Sequence, residues 1–241
     1  MSIIERIRHI LRLNEIDEIL RLARENKWAH VFHDTIKNSP WLLDQSFSPG
    51  EYAANYAFLY LLYRVLSIAR PRHILELGLG QTTKMIAQFA ASEPGVHHCV
   101  VEHNPEWIAF FQREHAAILA RAKTEIKPLV LTTTSYGKHP VRSYAEFRQT
   151  FQGQKFDFIC IDGPMGFDMR HFSRIDVLQL MPDILAEKFV VVMHDVRRSG
   201  EAATFARMQQ VLKKSKIEFA RGFYTSTGIL CSSNWAFLTT V

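Results

Sequence analysis

Hydrophobic positions along the chain predict a helical region followed by alternating strands and helices. Apolar residues recur at helical spacing over residues 3–22, with Arg and Glu on much of the remaining surface. Beyond Pro71, short apolar runs alternate with helical segments, as in a buried parallel sheet. The predicted strands span residues 74–77, 98–101, 129–133, 156–161 and 189–193, with two more after residue 217. The predicted helices after the first span residues 51–69, 81–91, 104–121, 143–151, 172–186 and 201–216.

This order predicts a doubly wound α/β sheet at residues 71–241, preceded by an N-terminal helical extension at residues 1–70. The extension could dock on the sheet or pair with a second copy as a homodimer. An interfacial membrane helix is the alternative, but interspersed acidic residues make it less attractive to anionic lipid. Four tyrosines at helical spacing indicate a core or subunit contact rather than a platform for a sugar: Tyr52, Tyr56, Tyr60 and Tyr63.

A glycine turn follows the first predicted strand. Gly78 and Gly80 break the strand, and Gln81 and Thr82 lead into a helix. Glycines let the backbone approach a ligand closely, and a helix N-terminus offers unpaired N–H groups. A dinucleotide site would have a third glycine where Thr83 stands, so the turn argues against NAD or FAD.

Acidic and histidine side chains follow the other strand ends. Glu102 closes the second strand, about twenty residues after the glycines, where nucleotide-binding folds place a ribose-binding acid. Asp162 follows the fourth strand, and His194 and Asp195 follow the fifth. The two aspartates could bind a divalent cation while His194 accepts a substrate proton. The alternatives are that Asp162 caps a turn and that His194 is a structural histidine.

Three motifs carry a resemblance to known enzymes. The run E-L-G-L-G, which begins at Glu76, resembles the first motif of the class I S-adenosylmethionine-dependent methyltransferases. The segments IDGPMG and HDVRR resemble the glucuronoxylan methyltransferases and their relatives. The resemblance implies a seven-stranded, mostly parallel sheet with the last strand antiparallel, and methyl transfer to a hydroxyl of a sugar or polysaccharide precursor. The predicted cofactor-binding residues are Glu76, Gly78, Gly80, Gln81, Thr82, Glu102 and His103.

The resemblance also leaves alternatives open. Catechol-type O-methyltransferases place metal-binding acids at positions that match Asp162 and Asp195, but where they continue with Asn this chain has Val196. Such an enzyme acting on a small molecule is one alternative, and a non-catalytic nucleotide-binding scaffold in polysaccharide assembly is another. Arg170 and Arg197 are predicted to bind an acidic acceptor, although solvated arginines fit equally well.

Composition limits the expected binding partners and the expected location of the protein. The net charge of +5 is only mildly basic and no basic tract is present, so a nucleic-acid substrate is not expected. The three cysteines lack CxxC spacing and no apolar run is long enough for a transmembrane segment, so we expect reduced thiols and a cytoplasmic protein.

Overall fold

The computed structural model describes residues 3–48 and 54–240, with side chains from residue 15 onward. Its α-helices are α1 Ile3–Ile36, α2 Tyr56–Ala69, α3 Gln81–Ser92, α4 Pro105–Glu114, α5 Ala116–Ala122, α6 Phe147–Phe151 and α7 Ser199–Lys214. Its strands are β1 His73–Leu77, β2 His97–Glu102, β3 Glu125–Pro128, β4 Leu131–Tyr136, β5 His139–Tyr144, β6 Phe156–Ile161, β7 Leu185–Met193, β8 Ala220–Tyr224 and β9 Thr227–Cys231. None of the helices in these ranges is both long and apolar enough to cross a membrane.

Seven strands form one sheet in the order β3-β2-β1-β6-β7-β9-β8. β9 runs in the opposite direction to the other six strands, so the predicted mostly parallel sheet with an antiparallel last strand is confirmed. The chain winds outward from β1 to β3 and then returns to place β6 on the other side of β1. That reversal opens a crevice at the carboxyl ends of β1 and β6, where ligands bind in such sheets.

Two apolar clusters cover the faces of the sheet because successive strand residues point to opposite sides. On one face, Ile74 and Phe158 pack with α1, α2 and α3. On the other, Leu75 and Ile159 pack with α7. Helix α2 lies within the first cluster and has eight buried residues. The proposed boundary at residue 70 stays a prediction, but residues before it share their core with the sheet.

Among the described side chains of α1, residues 15–36, the buried ones lie toward the end of the helix. Phe32 and Ile36 are fully buried, whereas Ile16, Ile19, Leu20 and Leu22 are exposed. Part of the predicted apolar face lies within residues 3–14, whose side chains are outside the described part of the chain.

The tyrosines predicted as a stripe make aromatic contacts within the protein. Tyr63 stacks on Trp41 with ring centroids 5.0 Å apart, and Tyr60 lies 5.3 Å from Trp28. Tyr56 contacts Phe32, and Tyr52 lies outside the described residues. The three described tyrosines therefore pack internally, as the core interpretation expected.

The region after β2 differs from the sequence prediction. The third strand of the sheet is residues 125–128, not 129–133; it is short, partly polar and at the sheet edge, so it lacks an apolar signal. Residues 131–144 instead form a separate two-stranded hairpin, β4–β5, which turns at Gly137. The helix predicted over residues 143–151 is reduced to α6 because its first residues belong to β5.

The helix predicted over residues 172–186 is also wrong. Only a 3₁₀ turn forms there, Val177–Leu180. Arg174 adopts a left-handed backbone with φ 54°, and the Asp176 carboxylate accepts hydrogen bonds from Ser143 Oγ and the Tyr144 backbone N–H. Pro182 has no N–H to donate to a continuing helix. Contacts with distant residues therefore replace helical hydrogen bonds along this segment.

Candidate active site

A cavity of about 520 Å³ lies at the carboxyl ends of β1, β2 and β6. Aromatic side chains from α4 form one wall, and the turns after β1 and β6 form another. Seven residues predicted from the sequence line it: Gly78, Gly80, Gln81, Thr82, Glu102, His103 and Asp162. Glu76, Arg170, His194, Asp195 and Arg197 were also predicted but do not line it.

Gly78 allows the β1 turn to pass close to the β6 turn. Its φ is +98°, and a Cβ there would lie 3.0 Å from the Asp162 carbonyl and from the Gly163 nitrogen. Gly80 is different, because its backbone is extended and a Cβ would meet nothing within 4 Å. Its N–H donates to Thr83 Oγ1 at 2.9 Å, so the hydroxyl of Thr83 caps α3 while Gly80 is the N-cap residue.

The Glu102 carboxylate is fixed by backbone N–H groups. Oε1 accepts from His103 N at 2.7 Å and Asn104 N at 2.9 Å, and Oε2 accepts from Leu79 N at 3.2 Å. An ionised carboxylate has about four acceptor positions, so about one remains for a ligand. Glu102 is thus held rigidly at the cavity wall, and its remaining acceptor position can bind a hydrogen-bond donor of a ligand.

Three buried polar atoms of cavity-lining residues have no hydrogen-bond partner in the described part of the chain. They are Tyr144 Oη, Gln81 Oε1 and His103 Nδ1, the last of which lies 2.9 Å from Glu102 Oε1 without forming a hydrogen bond. Buried polar groups are nearly always paired in folded proteins, so these atoms indicate a site for a polar ligand. Burial raises the pKa of Tyr144 well above its ordinary value, and the nearby Glu102 and Asp176 carboxylates raise it further. The Tyr144 hydroxyl therefore stays protonated and can donate.

The aromatic wall is anchored to the glycine turn. Trp107 Nε1 donates to the Leu79 carbonyl at 2.8 Å, and its ring stacks on Phe110 with centroids 5.3 Å apart. Both rings remain partly exposed. They offer a flat apolar surface next to a carboxylate, which suits a ligand with an aromatic base and a ribose.

Glu76 lies behind the cavity and is fully buried. Its carboxylate accepts from Thr82 Oγ1 at 2.5 Å, and the other oxygen lies 3.0 Å from His98 Nε2. His98 is buried where it makes this contact. His97 points to the other face of the sheet and stacks on His73. Glu76 thereby positions the first turn of α3, and direct contact with a cofactor stays a prediction.

Asp162, His194 and Asp195 come together as predicted. Their potential ligand atoms lie within 4.8 Å of one another. His194 Nδ1 is 3.1 Å from Asp162 Oδ1 and 3.9 Å from Asp195 Oδ2. Burial raises the pKa of Asp162, but His194 and Arg174 outweigh burial and hold it below its ordinary value. Burial lowers the pKa of His194, but the two carboxylates outweigh burial and raise it above its ordinary value.

Arg174 connects both carboxylates. Nη1 lies 3.2 Å from Asp162 Oδ1 and Nη2 lies 3.1 Å from Asp195 Oδ2. Nη1 also donates to the His194 carbonyl and Nε to the Pro164 carbonyl. The side chain is only 3% exposed. Arg174 is therefore a structural cation at the centre of the predicted catalytic group rather than a surface arginine.

A third carboxylate lies beneath Arg174. Glu201 is fully buried, and its Oε1 is 3.9 Å from Arg174 Nε. Neither of its oxygens has a hydrogen-bond partner among the described residues. Burial raises the pKa of Glu201, and Arg174 opposes that shift.

His194 is held on its other side by the N-terminal part of the chain. Asn55 Oδ1 accepts from Phe58 N at 2.9 Å, which fixes the orientation of the amide and caps α2. Asn55 Nδ2 therefore points as a donor to His194 Nε2, 3.1 Å away, and to Ser226 Oγ. Phe58 stacks on the imidazole at 4.8 Å. When the imidazole is neutral, these contacts place its proton on Nδ1, facing Asp162.

The two predicted acceptor-binding arginines lie on the surface. Arg197 donates through Nε to the Thr225 carbonyl at 3.0 Å, and Arg170 is exposed. Neither lines the cavity, so a role in acceptor binding stays a prediction.

Sequence reasoning missed three residues of this site. Asn55 stands 139 positions before His194, and only its place before a predicted helix gave a signal, as an N-cap. Tyr144 was assigned to a helix, which concealed its position at the cavity. Arg174 was considered, with Arg170, Arg197 and Arg198, for holding an acidic sugar or as a solvated arginine, and no local pattern indicates that it pairs with Asp162 and Asp195.

No protein-family model matches the chain, and no curated protein matches it. Solved structures do share its fold. A proposed caffeoyl-CoA O-methyltransferase from Staphylococcus aureus superposes with a TM-score of 0.53 at 12% identity, covering 88% of this chain and 100% of its own. A Podospora anserina methyltransferase bound to S-adenosylhomocysteine (SAH) gives 0.52 at 11% identity, covering 90% and 95%. The chain therefore has the predicted Rossmann-like methyltransferase fold, and its function must be argued from the site.

Proposed function

We propose that this chain is an S-adenosylmethionine-dependent O-methyltransferase. The observation that carries the proposal is the cavity between the glycine turn and Asp162, which combines a fixed carboxylate, an aromatic wall and unpaired buried polar atoms. The fold shared with an SAH-bound methyltransferase supports it. S-adenosylmethionine would supply a methyl group already activated by its sulfonium, so the protein's task is alignment and proton removal.

The cavity residues fit the parts of this cofactor. Glu102 would accept from a ribose hydroxyl with its remaining acceptor position, and Trp107 with Phe110 would contact the adenine. The backbone of the glycine turn, at Gly78 and Gly80, would lie along the amino-acid end. Tyr144 and Gln81 would then gain the hydrogen-bond partners that they lack within the described residues.

Asp162 is the group best placed to meet the acceptor. Its Oδ1 is engaged by His194 and Arg174, whereas Oδ2 makes no hydrogen bond in the described part of the chain, and the residue lines the cavity. Oδ2 would orient the acceptor hydroxyl and take its proton as the oxygen attacks the methyl carbon. His194 does not line the cavity, so it would act by donating a hydrogen bond from its Nδ1–H to Asp162 Oδ1, which holds that carboxylate in place.

The preferred acceptor is a hydroxyl of a sugar or polysaccharide precursor, on the resemblance of IDGPMG and HDVRR. Arg170 and Arg197 would bind its acidic group at the surface. A catechol-type small molecule is the alternative acceptor, and the outcome of an acceptor screen separates the two. We also propose that the exposed apolar residues of α1 pair two copies of the chain, which sedimentation analysis would test.

The function is tested by calorimetric titration of the protein with SAH. We expect micromolar binding by the wild type. Glu102→Gln keeps the size of the side chain but removes the charge, so affinity should fall about ten- to a hundredfold, as for loss of a hydrogen bond to a charged group.

Glu114→Gln is the matched control, because Glu114 is exposed on α4 and outside the cavity. Its affinity should equal that of the wild type, and thermal unfolding should show all three proteins folded. No binding of SAH to folded wild type would remove the methyltransferase assignment and favour a non-catalytic scaffold. If SAH binds but labelled methyl is transferred neither to uronic-acid saccharides nor to catechols, both proposed acceptor classes are wrong.

A further inference from the structure

The group Asp162, His194 and Asp195 has the ligand types of a divalent-cation site, and its ligand atoms lie within 4.8 Å of one another. A hard cation such as Mg²⁺ needs carboxylate oxygens that are free to approach it to about 2.1 Å, with about six oxygen ligands in all. The test of fit is therefore whether the oxygens that would face the ion are available.

One oxygen of each carboxylate is already bound to a cation of the chain itself. The Arg174 guanidinium contacts Asp162 Oδ1 through Nη1 and Asp195 Oδ2 through Nη2. Its fork spans the gap between the carboxylates, and its two further hydrogen bonds go to the Pro164 and His194 carbonyls. Four of its five N–H donors are used in this way.

The backbone conformation at Arg174 helps to fix the position of its side chain. Its φ of 54° places it in the left-handed region, and Ile175 beside it is buried. With the side chain only 3% exposed, the guanidinium has little freedom to leave and admit an ion.

Charge and ligand count point the same way. Arg198 Nη1 lies 2.8 Å from Asp195 Oδ2, so Asp195 already contacts two guanidinium groups. A divalent ion would add two positive charges beside them. Val196, which follows Asp195, is buried and offers no ligand atom. The residues present therefore do not fit a divalent cation.

We propose that Arg174 is the resident cation of this site and that it takes the place of a divalent metal ion. Arg174 is a positioning residue: it holds Asp162 with Oδ1 occupied and Oδ2 directed to the acceptor, and it neutralises Asp195. The consequence for catalysis rests on the proposed methyl transfer, which would then need no metal. The binding claim itself does not depend on that function.

The test is a titration with Mn²⁺ followed by electron paramagnetic resonance, on metal-stripped protein without any acceptor. Wild type should show no saturable binding at this site. Arg174→Ala removes the guanidinium from both carboxylates, so it should gain saturable Mn²⁺ binding, with a dissociation constant at least about tenfold below the highest Mn²⁺ concentration at which wild type shows none. Arg174→Lys keeps a positive charge and should not gain binding. Adding Asp162→Asn and Asp195→Asn to Arg174→Ala should abolish the gain.

If Arg174→Ala does not fold, Arg174→Gln replaces it, because glutamine keeps hydrogen-bonding capacity but removes the charge. Mn²⁺ binding by wild type that is lost in Asp162→Asn or Asp195→Asn would overturn the proposal. So would a folded, charge-free variant that gains no binding. SAH titration of the same samples reports the proposed cofactor site separately, so failure of one proposal is distinguishable from failure of the other.

Discussion

The polar groups at the two halves of the sheet's carboxyl edge differ in how they are paired. At the ends of β1 and β2, the Glu102 carboxylate is held by backbone N–H groups, and buried atoms of Tyr144 and Gln81 are left without partners in the described part of the chain. At the ends of β6 and β7, Asp162 and Asp195 are bound by Arg174, and His194 is engaged at both ring nitrogens. The first half leaves polar atoms available to a ligand, whereas Asp162 and Asp195 of the second half are paired with side chains of the protein itself.

The difference teaches how one edge can serve two tasks. A rigid carboxylate with unused acceptor capacity selects a hydrogen-bond donor. A carboxylate neutralised by a buried guanidinium keeps its position whether or not an acceptor is present, because its charge is already compensated. The Asp162 carboxylate belongs to both halves, since the residue lines the cavity and its side chain contacts Arg174.

The largest expected effect comes from removing the cation of the second half. Arg174→Met should lower the free energy of unfolding by about 3–5 kcal/mol, because it removes the buried guanidinium that contacts both mostly buried carboxylates and leaves Asp162 with His194 and Asp195 with the partly exposed Arg198. Urea denaturation measures this loss. Arg197→Met is the control, since Arg197 is exposed and makes one hydrogen bond to a carbonyl, so its effect should stay under about 1 kcal/mol. Equal losses in the two variants would contradict the contrast between the halves.

An intermediate effect is expected where the halves touch. Gly78→Ala should cost about 1–3 kcal/mol, because φ is +98° and the new Cβ would press on the backbone of Asp162 and Gly163. Gly80→Ala should leave stability nearly unchanged, since it has open space and an extended backbone. Its methyl group would instead enter the cavity and weaken SAH binding. Thermal unfolding and SAH titration of both variants check the pair, and equal destabilisation would show that the close approach at Gly78 is unimportant.

The smallest effect concerns Asp176, a buried carboxylate behind Tyr144 that no cation neutralises within the described residues. Burial raises its pKa to about 6, although hydrogen bonds from Ser143 and the Tyr144 backbone oppose the shift. The folded state therefore binds this proton more tightly than the unfolded state, so stability should fall as the pH rises through about 4 to 6.

Between pH 5 and pH 8 the ionisation of this group should lower the stability of the wild type by roughly 1 kcal/mol. Asp176→Asn keeps an acceptor for Ser143 but cannot ionise, so its unfolding free energy should lack that part of the pH dependence. Denaturation of both proteins at the two pH values measures the difference. Identical pH dependence would mean that Asp176 does not titrate in this range.

The fold was largely predictable because its central strands are near-continuous apolar runs, and their ends carry glycines or acids. The third strand was not, since an edge strand of four partly polar residues carries weaker periodicity than the hairpin that follows it. Residues 172–186 have helix-like composition, but the segment is directed by Arg174 and Asp176, whose partners lie elsewhere in the chain.

The candidate site divides in the same way. Glu102 and Asp162 could be found because position at a strand end determines where a side chain lies. Arg174 could not, because its role depends on a left-handed backbone and on two carboxylates that meet only in the folded protein. Asn55 could not be linked to His194 because tertiary packing alone brings them together.

The contact between Asn55 and His194 has a practical consequence for protein production. A shortened chain beginning at residue 71 would retain the whole seven-stranded sheet, yet it would lose the donor that fixes the imidazole and the Phe58 ring stacked on it. It would also expose the sheet face that α2 covers, with Ile74 and Phe158 turned to water. Such a fragment should aggregate on expression, and studies of this enzyme candidate should keep the N-terminal helices attached.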